Sequence, residues 1–183
     1  MAVYTKINKE DISVINNKFD IEKIISFHGI KKGIENTNYL LKSKNKKFIL
    51  TIFEKRVSNK EIPFFMKLMD QLNYSKINCP KPLKSKNGSY LIKLKNKTAC
   101  IVSFLQGKDK NKLSLKNCFE VGKIIAEIHH ITKNIKISRK NSMGIKNLDP
   151  LLKSIKFKSN KFNNLEKFLK DNLKYIKKNW PNK

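Results

Sequence analysis

The sequence predicts an α+β fold in two lobes: an antiparallel sheet carrying one helix, then helices alone. Two observations predict it. Between residues 23 and 105, short runs of β-forming residues alternate with turn signals and are interrupted by one stretch of helical spacing. After a charged linker at 106–112, apolar residues recur only at helical spacing. Strands first and helices afterwards is the pattern of segregated lobes. The 183 residues, 39% of them hydrophobic, suffice for a small lobe and part of a second.

Residues 1–22 are polar, with weak helical periodicity in Ile7, Ile12, Ile15 and Phe19. Residues 23–30 and 38–42 read as strands on either side of a loop that contains Gly33 and Asn36. Ser43 to Lys46 is a polar turn, and residues 47–53 form the clearest strand. Its apolar residues fall on both faces, as in a strand covered on both sides. Phe64, Phe65, Leu68, Met69 and Leu72 place a helix near 60–73. Ser58 and Glu61 have capping-box spacing, and Pro63 suits a first turn. Lys86-Asn87-Gly88-Ser89 reads as a hairpin turn between strands near 82–85 and 89–94. A buried strand follows at 98–105. Helices are expected over 114–131, 148–157 and 162–178, the last amphipathic through Leu165, Phe168, Leu169, Leu173 and Ile176.

The net charge of +27 raises the question of a polyanionic partner. Three features count against nucleic acid. Arg56 and Arg139 are the only arginines, although Arg dominates base recognition. The lysines are spread along the whole chain. Abundant Asn and Ile accompany them, and all three residue types share A/T-rich codons. A compositional bias with a solvated surface therefore stands beside a functional polyanion site, and either would favour capture of an anionic nucleotide. Cys79, Cys100 and Cys118 lack metal-site spacing and read as buried thiols of a reducing compartment. No run approaches the ~18 apolar residues of a membrane span, and the first residues lack the apolar run of a signal peptide. A cytoplasmic protein is expected.

Strand, glycine-containing loop, strand, strand, helix, strand is the order of a kinase N-lobe. The loop Gly29–Tyr39 matches neither G-x-G-x-x-G nor a P-loop, and a Gly/Asn hairpin turn is also an ordinary structural feature. An ordered set of segments is more specific. It comprises Gly33-x-x-Asn36-x-Asn38-Tyr39-Leu40-Leu41, the run Phe48 to Val57, Pro63-Phe64-Phe65-x-x-Leu68-Met69 and Cys79-Pro80-x-Pro82. It continues with Ala99 to Gly107, Val121-Gly122-Lys123-x-x-Ala126-x-Ile128-His129 and Asn141-Ser142-Met143-Gly144-Ile145. The opening Met1-Ala2-Val3-Tyr4-Thr5 fits the same set. Together these resemble the homoserine kinase family, a branch of the aminoglycoside phosphotransferase and choline kinase superfamily.

The resemblance implies a protein-kinase-like fold: a nucleotide-binding N-lobe at 1–105, a hinge at 106–112, and the first helices of an incomplete helical C-lobe at 113–183. It implies phosphorylation of the L-homoserine hydroxyl by ATP with magnesium, on the route to threonine. Gly33, Asn36 and Asn38 would belong to the phosphate-covering loop. Ser103 and Leu105 would belong to the hinge, meeting the adenine edge through main-chain groups; an ordinary buried strand end accounts for the same residues. Thr51 stands where the superfamily usually has a third-strand cation, and Phe65 where its helix usually has a Glu. Lys55 and Arg56, just beyond the strand, are the nearest substitutes, or else solvated surface cations. The His-x-Asp-x-x-x-x-Asn loop that positions the acceptor and metal in this family is not found in the sequence, so no catalytic residue or metal ligand is assigned. The expectation is a portion of a kinase lacking its catalytic loop. Another small-molecule kinase, a nucleotide-binding pseudokinase and a basic nucleic-acid-binding protein are the alternatives.

Overall fold

Alternate residues of the most buried strand serve two different cores. Ala99 and Ile101 join one hydrophobic cluster, and Cys100 and Val102 join another. This is the period-two alternation of a strand covered on both faces. The computed structural model describes residues 3–54, 58–141, 144–155 and 163–179. The chain forms two units, Met1–Ser138 and Arg139–Lys183.

The first unit holds helix α1 (Lys9–Lys18), strands β1 (Ser26–Gly29), β2 (Thr37–Lys42) and β3 (Lys47–Ile52), helix α2 (Ile62–Tyr74), strands β4 (Leu91–Leu94) and β5 (Lys97–Ser103), and helix α3 (Leu115–Thr132). The five strands form one antiparallel sheet in the order β1-β2-β3-β5-β4. Helix α1 starts at a capping box in which the Asp11 amide donates to Asn8 Oδ1 and the Asn8 amide to Asp11 Oδ2. Its Ile12 and Ile15 pack with Phe19 against Tyr39, Leu41, Leu50, Ile52 and Ile101, closing one face of the sheet. Helix α2 closes part of the other face. Its Ile62 and Met66 pack with Cys100, Val102, Ile49 and Leu91. Burial pushes the Cys100 thiol up to about 12. The Tyr90 hydroxyl donates to Asp70 Oδ2 on α2 at 2.6 Å; burial and that carboxylate raise the phenol to about 12.

Four local expectations change. Residues 82–85 are not a strand: Pro82 bridges Val102 and Ser85 bridges Phe19, each singly. Pro80 and Pro82 cannot donate to a ladder, so the segment makes isolated bridges instead. The partner of β4 is β5, joined by Lys95 and Asn96 with φ of 48° and 61°. Two positive φ values meet the requirement of a type I′ hairpin turn, here without glycine. Ser58 does not cap α2. Its carbonyl accepts from the Glu61 amide in a separate turn, and the helix begins at Ile62 with no side-chain cap. The reading of buried thiols also holds only for Cys100 and in part for Cys79, since Cys118 is exposed.

Helix α3 begins with a Ser114–Asn117 capping box. Its Leu115, Phe119, Val121, Ile124 and Ile125 are exposed. His129 and His130 lie in its last turn, where the helix dipole favours positive charge.

The second unit holds helices α4 (Ile145–Ser154) and α5 (Asn163–Asn179). The turn into α4 is closed by Asn141, whose carbonyl accepts from the Gly144 amide and from Asn147 Nδ2. An ion pair between Lys177 and Asp149 joins the two helices. Leu173 is buried, while Leu165 and Phe168 remain largely exposed. No helix among the described residues is long and apolar enough to cross a membrane.

Candidate functional site

The antiparallel register of β2 and β3 places Asn38 opposite Thr51, Leu40 opposite Ile49 and Lys42 opposite Lys47. Cross-strand partners share a face, and Ile49 packs against the α2 cluster, so all six belong to the α2 side of the sheet. On β1, His28 lies opposite Leu40 and so shares that side. Helix α2 covers β3, β5 and β4, but no β1 or β2 residue enters its cluster. Asn38, Leu40 and Lys42 are therefore half-buried, whereas Tyr39 and Leu41 on the other face are buried. The result is an uncovered shelf about 14 Å long, at ~3.4 Å per residue from Asn38 to Lys42.

The shelf has two chemically different ends. At one end Thr51 Oγ1 donates to Asn38 Oδ1 at 2.8 Å, which fixes the amide and leaves its nitrogen as a hydrogen-bond donor. The loop between β1 and β2 lies beside them. It is closed by the Ile30 amide donating to the Asn38 carbonyl at 2.8 Å. Gly33 has φ of +112°, which L side chains rarely adopt, and nothing crowds its position. The Glu54 amide donates to Asn36 Oδ1 at 3.4 Å. At the other end Lys47 Nζ lies 5.7 Å from the centre of the Phe104 ring. A concavity of about 370 Å³ is lined there by Lys47, Phe104, Gln106, Gly107 and Lys108.

The sequence-derived residues thus fall at both ends. Gly33, Asn36, Asn38 and Thr51 gather at the loop end. Ser103 closes β5 at the far end, its amide donating to the Lys81 carbonyl and its Oγ accepting from the Lys81 amide, each at 2.9 Å. Leu105 lies past the strand, exposed. Among the described residues its amide makes no backbone hydrogen bond. Lys55 and Arg56 lie outside the described residues. Phe65 packs edge-on against Phe64, with ring centres 5.4 Å apart.

A polar cluster at the loop end has no counterpart in the sequence reading. Thr37 Oγ1 donates to Glu54 Oε1 at 2.6 Å, and Thr5 Oγ1 donates to the same oxygen at 2.7 Å. Lys97 Nζ pairs with Glu54 Oε2. Burial alone would raise the Glu54 carboxyl, but hydrogen bonds from Lys97, Thr37 and Thr5 outweigh it and hold it below the ordinary carboxylate value. Thr37 and Thr5 are buried. Their partners lie 17 and 49 residues away in sequence, so no local signal marks them.

The model of the phosphotransferase enzyme family matches residues 26–182. The chain belongs to that family. A homoserine kinase of Paramagnetospirillum magneticum is 35% identical over 182 residues, covering 99% of this chain and 56% of that protein. A homoserine kinase of Gluconobacter oxydans is 38% identical over 154 residues, 84% of this chain and 49% of that one. The chain thus spans about half the length of these phosphotransferase relatives. A crystal structure of spectinomycin phosphotransferase in complex with ADP and spectinomycin superposes with a TM-score of 0.64 at 14% identity, over 97% of this chain and 60% of that one. The kinase-like fold expected from the sequence is thereby shown, as a partial one.

Proposed function

We propose that the first unit is the nucleotide-binding lobe of a homoserine kinase, a cytoplasmic enzyme of threonine biosynthesis. The uncovered half of the α2 face carries the reading, because it joins a glycine-containing loop to the strand end where the chain leaves the sheet. Leu40 and Ile49 offer an apolar floor for a purine, and the Leu105 amide offers a donor to its edge. The Asn38 amide and the amides of the 30–36 loop point the phosphates to the other end. In the reaction the L-homoserine hydroxyl oxygen bonds to the γ-phosphorus of ATP, its proton leaves, and the bond to the ADP oxygen breaks. The identity of the homoserine kinase relatives supports this acceptor.

Among the described residues no group of three or more His, Cys, Asp or Glu is placed to hold a metal ion. No magnesium ligand is therefore assigned among the described residues, and no step is routed through the metal. The shelf accounts for nucleotide binding and orientation alone.

Thermal melting of the 183-residue chain with ATP, ADP or adenosine tests the proposal. A nucleotide at 100 times its Kd should stabilise the chain by about 2.7 kcal/mol. No shift at millimolar ATP, together with steeply salt-dependent duplex binding, would replace the kinase reading with the nucleic-acid one.

A further inference from the structure

We infer that Glu54 is a positioning residue for the 30–36 loop, acting through Thr37 and the Tyr4–Thr5 segment. The inference deepens the nucleotide-binding proposal and rests on it.

Tethers from Glu54 and from Tyr4 and Thr5 reach the second half of the loop. The Tyr4 hydroxyl donates to the Ile34 carbonyl at 3.1 Å. The Glu54 amide donates to Asn36 Oδ1. Thr37, the residue that ends the loop, is bound on both sides. Its Oγ1 accepts from the amides of Tyr4 at 2.9 Å and Thr5 at 3.1 Å, and its single proton goes to Glu54 Oε1. A hydroxyl that has accepted two amides needs an acceptor for its proton. Thr5 Oγ1 presents a second donor to that same oxygen, and Lys97 a third to Oε2. Only an acceptor-only carboxylate meets all three donors at once. Residue 54 therefore grips the loop by main chain and side chain together.

The tethers stop at Ile34. Lys32 pairs with Asp109 at 3.0 Å, but both side chains are almost fully exposed, so the pair adds little restraint. Gly33, in the left-handed region and uncrowded, separates the tethered half from that tip. A loop rooted in this way presents its amides and the Asn36 and Asn38 side chains to phosphates with less ordering on binding. The consequence is selective, because adenosine has no phosphate for the loop to meet.

Glu54→Gln replaces one acceptor oxygen by a donor while keeping the shape. Isothermal titration of the full chain with ATP and with adenosine reads its effect. ATP affinity should fall about tenfold, the loss of one charge-assisted hydrogen bond's worth of order, while adenosine affinity changes less than about twofold. Ile15→Val, a core truncation on the opposite face, serves as the stability control and should alter neither affinity. If Glu54→Gln does not fold, Thr5→Val deletes one donor and decides by the same comparison. Equal losses for ATP and adenosine would make the cluster structural only and overturn the inference. So would unchanged ATP binding in a variant of a chain that binds ATP. Absence of ATP binding by the unaltered chain would instead overturn the nucleotide-binding proposal itself.

Discussion

Thr51→Val removes the hydroxyl that donates to Asn38 and keeps the side chain's volume. The lost bond has ordinary length, 2.8 Å, and is half-buried, so water can replace it and the net cost is about 0.5–1 kcal/mol. Valine is a good strand former, which offsets part of that. The melting temperature should therefore move by no more than a few degrees. Nucleotide binding should respond more. With its oxygen unheld, the Asn38 amide must be ordered by the ligand, at roughly 1 kcal/mol, or about fivefold in Kd. Titration with ATP, ADP and adenosine, beside a thermal melt, measures both effects. The loss should be equal for ATP and ADP and small for adenosine. An unchanged ATP affinity, or an equal loss for adenosine, would refute the placement of phosphates at the Asn38–Thr51 end.

Two further outcomes concern stability. Ile101 is fully buried in the α1-side cluster, so Ile101→Ala should destabilise the first unit by about 2–5 kcal/mol in denaturant melts, with nucleotide restoring part of the loss. Glu54 has a folded-state value below its unfolded one, so its contribution is fully present above the ordinary carboxylate value and is lost as pH falls through the lowered one. Melts across the acid range should show stability declining below about pH 5, and Glu54→Gln should flatten that slope; an identical acid profile in the variant would exclude the cluster as its source.

Much of the sheet was legible because its cues are local. The run Lys47 to Ile52 has apolar residues on both faces, and it is covered by α1 on one face and α2 on the other. Ile7, Ile12, Ile15 and Phe19 carried only weak helical periodicity; Ile12 and Ile15 lie on α1, a helix beyond the one expected for this lobe, and all four prove to be core. The misreadings at the turns arose where a local pattern met a competing local turn or a distant strand partner. Ser58 has capping-box spacing, but the chain turns again before α2 begins. Asn87-Gly88 has the stronger hairpin signal, yet the hairpin forms at Lys95-Asn96, where β4 finds β5. Of the site, Gly33, Asn36, Asn38 and Thr51 were visible as residues, while their gathering at one end of a shelf was not.

By itself, the sequence determined an antiparallel sheet with the α2 helix, helices after it, and membership of a phosphotransferase family, because periodicity and ordered motifs are written along the chain. Only the tertiary structure decided that α2 leaves half of a sheet face open and that Glu54, Thr37, Thr5 and Lys97 meet. Register and coverage depend on how separate segments pack, and hydrogen bonds between residues 17 to 92 positions apart leave no local trace.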